Sequence, residues 1–363
     1  MNQALQIEKI PHDGYFAEDL GTTRLLNHYH KFYFYFNISQ IESSFRHLWT
    51  NTYILNVKHG NFSSLVNILE ENCLEIEQEL SKFSFKSKRA IDALGSGIRF
   101  ITGNLDQNDL KEINSHLNSL FTNQKKIITQ MSKYTSFANH ITNRYVNDLK
   151  LIQENINTTF KAINTIDDNI STQQLYLYNI HLSNKLLSVL RNIQRTISLA
   201  FNGIVNIEII STAELKDIVN HLKLIYRKEE LLELDALHLI KMIEFSKFRV
   251  ISLDNIITCI LFIPILYTHP FEYQKIYPIP SIHDELLLPP AKYRLSGIKQ
   301  EKWTNEVCPK IENQILCLQE PFINKCSLQD TTSCDHISVI NNYRVFVQLK
   351  TIKYLCHPNL PQK

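Results

Sequence analysis

The chain has 363 residues, with 38 Lys and Arg against 36 Asp and Glu and a formal net charge of +2. That balance, without any long basic block, gives no footing for a nucleic-acid partner. Hydrophobic residues at 44% and charged residues at 20% suit a folded protein with a substantial core, and no run of about eighteen apolar residues offers a membrane span.

The N-terminus, "MNQALQIEKIPHDGYF", lacks the apolar centre of a signal peptide. Residues 14 to 40 read as extended chain, because "HKFYFYFNIS" alternates aromatics as a strand with one buried face does. His28 and His30 within it have no ligands at metal spacing and read as strand surface. A helical pattern follows from about Gln40 to Phe83. Ile41, Phe45 and Leu48 open it, and Leu65, Ile68, Leu69, Cys73, Ile76 and Leu80 continue it after a break at Gly60.

Three of the chain's eight glycines, Gly95, Gly97 and Gly103, then fall together, just after the basic tetrapeptide Lys86-Ser87-Lys88-Arg89. Read as a helix, 90 to 105 puts Ile91, Leu94, Ile98, Ile101 and Leu105 on one face. A segment of that length lies in a membrane interface rather than across it. Cutting after Arg89 makes Ala90 a free N-terminus. On these residues alone the alternative stands open: Gly95 and Gly97 make a tight turn beside a solvated basic cluster.

The strongest periodicity comes next. Leu110, Ile113, Leu117, Leu120, Gln124, Ile127, Met131, Tyr134, Ala138, Ile141 and Tyr145 alternate steps of three and four, and Leu149, Ile152, Ile156, Thr159, Ile163, Ile166 and Ile170 resume the alternation after one stutter. A helix over 107 to 170 would be roughly 95 Å long at about 1.5 Å per residue. It needs a partner along its seam, either residues 175 to 201 of the same chain (Leu186, Leu190, Ile193, Ile197) or other copies. Ser211-Thr-Ala-Glu214 is a capping box opening a further helix, which carries His221.

After about Lys247 prolines collect and apolar stretches shorten, so the fold class is α+β: a long helical region, then a β-rich module divided from it near 245. "IITCILFIPILY" (256 to 267) reads as a buried strand pair broken at Pro264. Five of the seven cysteines, Cys308, Cys317, Cys326, Cys334 and Cys356, crowd this end at spacings unlike zinc sites. They imply disulfide staples and an oxidising compartment. Four glycosylation sequons, at Asn37, Asn61, Asn157 and Asn169, agree. No nucleophile–base pair, phosphate loop or metal cluster is legible, so neither an enzyme nor a cofactor is expected.

"LGSGIRFITGNLDQNDLKEI" resembles the segment after the cleavage site in the envelope fusion proteins of baculoviruses and of gypsy-type insect retroelements (errantivirus envelope proteins). "GYFAEDLGTTRLLNHYHKFYFYFNISQIE" and "FIPILYTHPFEYQKIYPIPSI" resemble other parts of the same ectodomain. The resemblance implies a class I membrane-fusion glycoprotein, with an extracellular ectodomain on a virion envelope or cell membrane. Residues 1–89 would be the N-terminal subunit, 90–103 the fusion-peptide segment, 104–245 the heptad-repeat region and 246–363 the β-rich domain. A furin-like protease would cut at Lys86, Lys88 and Arg89, and the lipid-facing residues would be Ala90, Ile91, Leu94, Gly95, Gly97, Ile98, Phe100 and Ile101. The coil would hold a homotrimer, and a cell-surface receptor of unknown identity is implied. Cys73 would bridge the subunits by pairing with one late cysteine, leaving Cys259 as a free buried thiol. Lys86 stands where the family's cleavage motif prefers arginine, and leader, second heptad repeat and anchor are not found in the chain. A non-fusogenic binding protein of the same descent, or an unrelated helical scaffold, are the alternative functions.

Overall fold

The computed structural model describes residues 15–59, 62–83, 98–101, 128–165, 169–232, 239–253, 255–279, 285–298 and 300–311, then 314–318, 323, 326–328 and 333–338. Two units divide the chain: Tyr29–Pro264, and a second formed by Met1–His28 with Ile265–Lys363. The chain passes between them along β1 (Tyr15–Asn37) and β6 (Ile256–Leu266).

In the Tyr29–Pro264 unit the sheet runs β3 (Ile128–Ser132), β4 (Thr135–Ala138), β1, β6, β5 (Lys247–Leu253) and β2 (Ile98–Ile101). β4 runs parallel to β1, matching Phe32 with Ser136, whereas β5 and β6 are antiparallel over seven residue pairs. The aromatic run of β1 is buried on both faces, not one: Phe32, Phe34 and Phe36 on one side, and on the other Tyr33, which packs with Phe137, Ile251, Ile260 and Phe262. "IITCILFIPIL" is one strand instead of a pair, buried from Ile257 onward. Its Pro264 lies beyond the residues matched to β5, so the missing N–H removes no bond from that ladder.

Helices α1 (Ile38–His59), α2 (Ser63–Phe83), α3 (Asn139–Ile163) and α4 (Asn169–Ala200) pack together, with α1 touching each of the other three and α4 touching α2 and α3. Leu55, Val66, Leu69, Ile163, Leu175 and Tyr176 form a core to which all four contribute. The α1 start is capped by Asn37, whose Oδ1 accepts the Ser39 N–H at 3.0 Å. α5 (Thr212–Ile225) opens with the expected capping box, Ser211 and Glu214 each accepting the other's backbone N–H. The short α6 (Leu239–Glu244) precedes β5.

The long heptad-repeat helix expected over 107–170 is not what forms. Residues 128–138 are the β3–β4 hairpin, pairing Ile128 with Ala138 and Thr129 with Phe137. Among the described residues of that span, the helix runs from Asn139 to Ile163, with Asn164 at the C-cap. The physical reason lies in the residues between the apolar ones. Thr129, Ser132, Thr135 and Ser136 are β-branched or compete for backbone hydrogen bonds, and they disfavour helix. In β4 four consecutive residues are buried, a sandwiched strand and not a stripe. Within α3 the expected seam is correct in phase: Ile141, Tyr145, Leu149, Ile152, Ile156, Thr159 and Ile163 are all buried. Their cover comes from α1 and α4 of the same chain, the intramolecular solution.

The described elements of the second unit are strands. The first half of β1 pairs antiparallel with β7 (Phe271–Pro278) and parallel with β12 (Gln314–Cys317). β7 also pairs with β9 (Tyr293–Ser296), and β9 with β10 (Glu301–Thr304). β11 (Lys310–Ile311) forms a hairpin with β12, and β8 (Glu285–Leu288) pairs with β13 (Asp335–Ser338). The β1–β7 register slips between Asp19 and Thr22. Gly21 takes φ +103° there, with its N–H on the Asp19 carboxylate at 2.9 Å. A side chain is strained at that φ, which is why glycine occupies the bulge.

Candidate functional site

The expected cleavage residues Lys86, Lys88 and Arg89, and Ala90, Ile91, Leu94, Gly95 and Gly97 of the lipid-facing segment, lie outside the described residues. Its remaining members, Ile98, Phe100 and Ile101, belong to β2 and so to a strand, not a helix. β2 pairs antiparallel with β5, setting Ile98 against Leu253 and Ile101 against Ile251, with an irregularity between Ile98 and Phe100. Among the described residues β5 is its one partner, and β2 ends the sheet. The strand tendency follows from "IRFI", where β-branched and aromatic residues recur. Among the described residues, one ladder of backbone bonds joins β2 to the sheet.

Two disulfides staple the other unit, Cys308–Cys317 and Cys326–Cys334. Trp303 is fully buried in one cluster with Cys326 and Cys334, and its indole N–H donates to the Cys326 carbonyl at 2.7 Å. Glu301 fastens the same loop. Its carboxylate accepts from Arg294 Nε at 2.7 Å, from Arg294 Nη2 at 3.2 Å, from Ser327 Oγ at 3.0 Å and from the Leu328 N–H at 3.1 Å. Nothing in the sequence signalled this pairing, because the β9–β10 register is what brings Arg294 and Glu301 together.

A model of the Gypsy protein family matches residues 15–347, a span that takes in the basic cluster, β2 and both disulfides. The chain belongs to the Gypsy protein family. No curated protein matches it.

As a Gypsy protein the chain is an envelope-like retroelement protein, and the family is not one of enzymes. Such a family is associated with virions or membranes; no helix among the described residues is long and apolar enough to cross a bilayer. The match carries the gypsy-type half of the resemblance, not the baculovirus half.

Other expected sites of this Gypsy protein divide as follows. Cys73 sits on α2 as a free, fully buried thiol, 3.8 Å from Thr52 Oγ1. Four of the five late cysteines expected to bridge to it pair with one another, and the fifth, Cys356, lies outside the described residues. Burial pushes the Cys73 thiol up to about 11, helped by Glu70 and opposed by the Thr52 hydrogen bond. Cys259 is free and fully buried on β6. Asn157 is exposed on α3, Asn37 is half-buried at its cap, Asn169 begins α4, and Asn61 lies outside the described residues. His30 departs from the surface reading: it is fully buried, with Ser136 and Tyr226 on its two ring nitrogens. Among the described residues no His, Cys, Asp and Glu group has the arrangement to hold a metal.

Proposed function

We propose that this Gypsy protein is the ectodomain of a membrane-fusion envelope glycoprotein, and that cleavage after Arg89 frees the segment from Ala90 to Ile101 for insertion into a lipid interface. The observation that carries the reading is the place of β2: the end of that segment is an edge strand with β5 as its one partner among the described residues. An apolar, glycine-containing stretch behind a basic cluster suits a lipid interface, and its last residues, Ile98–Ile101, have one ladder among the described residues. The family match across both sides of Arg89 supports the same arrangement. A furin-like protease makes the cut, a homotrimer is the acting assembly, and a cell-surface receptor directs it.

The buried disulfide module supports an extracellular setting, since its two bridges form in oxidising compartments. A synthetic peptide covering 90 to 105 tests the lipid step. It should release dye from anionic liposomes, and a scrambled peptide of equal composition should not. Equal leakage from both, or from neither, overturns the lipid role and leaves a non-fusogenic binding protein of the same descent.

A further inference from the structure

Helix α1 leaves a row of large apolar side chains uncovered. Trp49, Tyr53 and Val57 follow at steps of four, which aligns them on one side of the helix. Tyr53 and Val57 are 67% and 68% exposed, and Phe45 sets its ring beside Trp49 with centroids 6.1 Å apart. The charge around this row is basic. Arg46, His47 and Lys58 are exposed, and Glu42, the one acidic residue of α1, is half-buried. Helix α2 has the opposite character. Its exposed Ile68 and Leu74 alternate at steps of three with exposed Glu71 and Glu77. Glu70 and Glu75 lie on the same helix, and Lys82 is its one basic residue.

The two helices are neighbours. The Asn56 amide on α1 donates to the Glu70 carboxylate on α2 at 2.9 Å, and Leu55 and Leu69 share a core. Some of the charges are engaged within the chain: Glu75 pairs with Arg191, Glu79 with Lys82, and Lys58 Nζ donates to Asn164 Oδ1 at 3.0 Å. Among the described residues Arg46, Glu71 and Glu77 enter no ion pair. Clustered exposed apolar side chains rimmed by polar ones mark a contact surface. The signs choose its occupant. An anionic lipid surface that met Trp49 and Arg46 would also meet the neighbouring glutamates of α2, and like charges repel. A second copy of the chain carries both complements, a basic aromatic face and an acidic aliphatic one.

We propose that the Trp49–Tyr53–Val57 face of α1 in one copy docks on the Ile68–Leu74 face of α2 in another, with the basic residues Arg46 and Lys58 set against the acidic Glu71 and Glu77. The two faces differ, so the contact is head-to-tail, the kind that closes into a ring. The inference deepens the homotrimer of the proposed function and rests on self-association of the chain, not on its cleavage or its lipid step. The aromatic side chains supply most of the attraction, and the charges fix partner and register.

Sedimentation of the whole, uncleaved chain over a concentration series tests the contact. Wild type should associate. Tyr53→Ser should weaken association by about tenfold or more, and so should either reversal alone, Arg46→Glu with Lys58→Glu or Glu71→Lys with Glu77→Lys. A chain carrying all four reversals should recover to within about threefold of wild type, because its two faces are complementary again. Should that chain not fold, a mixture of the two singly reversed chains decides: they should associate with each other and not with themselves. A monomeric wild type overturns the surface and the homotrimer together. Trimers indifferent to Tyr53→Ser and to both reversals overturn the surface and leave the homotrimer standing. A dimer that obeys the reversals keeps the surface and removes the homotrimer. Reversals that each weaken association but do not compensate overturn the pairing of α1 with α2. Uncleaved monomer that floats with anionic liposomes, and ceases to with Tyr53→Ser, gives the face to lipid and overturns the proposal.

Discussion

Asn51 on α1 donates its buried side-chain amide to the carbonyl of Ile156 on α3, 2.9 Å away. The apolar seam that periodicity assigns to a long coil is thus tied laterally inside its own chain. Ile156→Ala should cost about 2–5 kcal/mol in urea unfolding, the range for emptying a packed site. Leu151→Ala, on the same helix at 58% exposure, should fall within about 0.5 kcal/mol of wild type. Equal effects at the two positions would mean that α3 is rotated from the phase described.

Glu301 and Arg294 form an ion pair only about a tenth exposed, and Glu301 also holds the backbone of the Cys326–Cys334 loop. Glu301→Gln removes the charge and leaves Arg294 in a poorly hydrated site. A loss of about 3–5 kcal/mol is expected. The chain has two tryptophans, Trp49 exposed and Trp303 buried beside this pair. Trp303 fluorescence in a Trp49→Phe background reports the unfolding of this unit directly, and an unshifted midpoint would contradict the assigned role.

The Ser211 cap sets where α5 begins, and α5 carries Leu215, Ile218 and Leu222 into the core. Ser211→Ala should destabilise by about 0.5–2 kcal/mol, and Ser211→Asp should restore most of that loss. Thermal melts of the two variants beside wild type check it.

The thiols should divide cleanly under non-reducing peptide mapping. Cys308 should be found linked to Cys317 and Cys326 to Cys334, while Cys73 and Cys259 resist alkylation in the native chain and react once it is unfolded. With its pKa pushed up to about 11, the Cys73 thiol is protonated at neutral pH, which adds to its steric protection. A fragment that stays joined through Cys73 after cleavage at Arg89 would contradict the free thiol.

The sequence made α2, the α3 seam and the Ser211 cap legible because each rests on local chemistry: a periodic apolar face or a side chain reaching its own backbone. The hairpin at 128–138 was not legible, since Met131, Tyr134 and Ala138 satisfy a heptad count that strands also meet over so few residues. "IRFI" went the same way: Ile98 and Ile101 share a helical face on paper, yet pairing with β5 decides the matter. His30, Ser136 and His221 are brought together by a parallel β1–β4 match and a helix from much later in the chain, long-range relationships that no spacing announces.

The most direct test of the central claim uses the intact chain, cleaved after Arg89 by a trypsin-like or furin-like protease and floated with liposomes on a density gradient. The cleaved chain should rise with the lipid and the uncleaved chain should stay below. A cleaved chain that remains in the aqueous fraction, or an uncleaved one that floats equally well, would contradict the release of the segment that begins at Ala90.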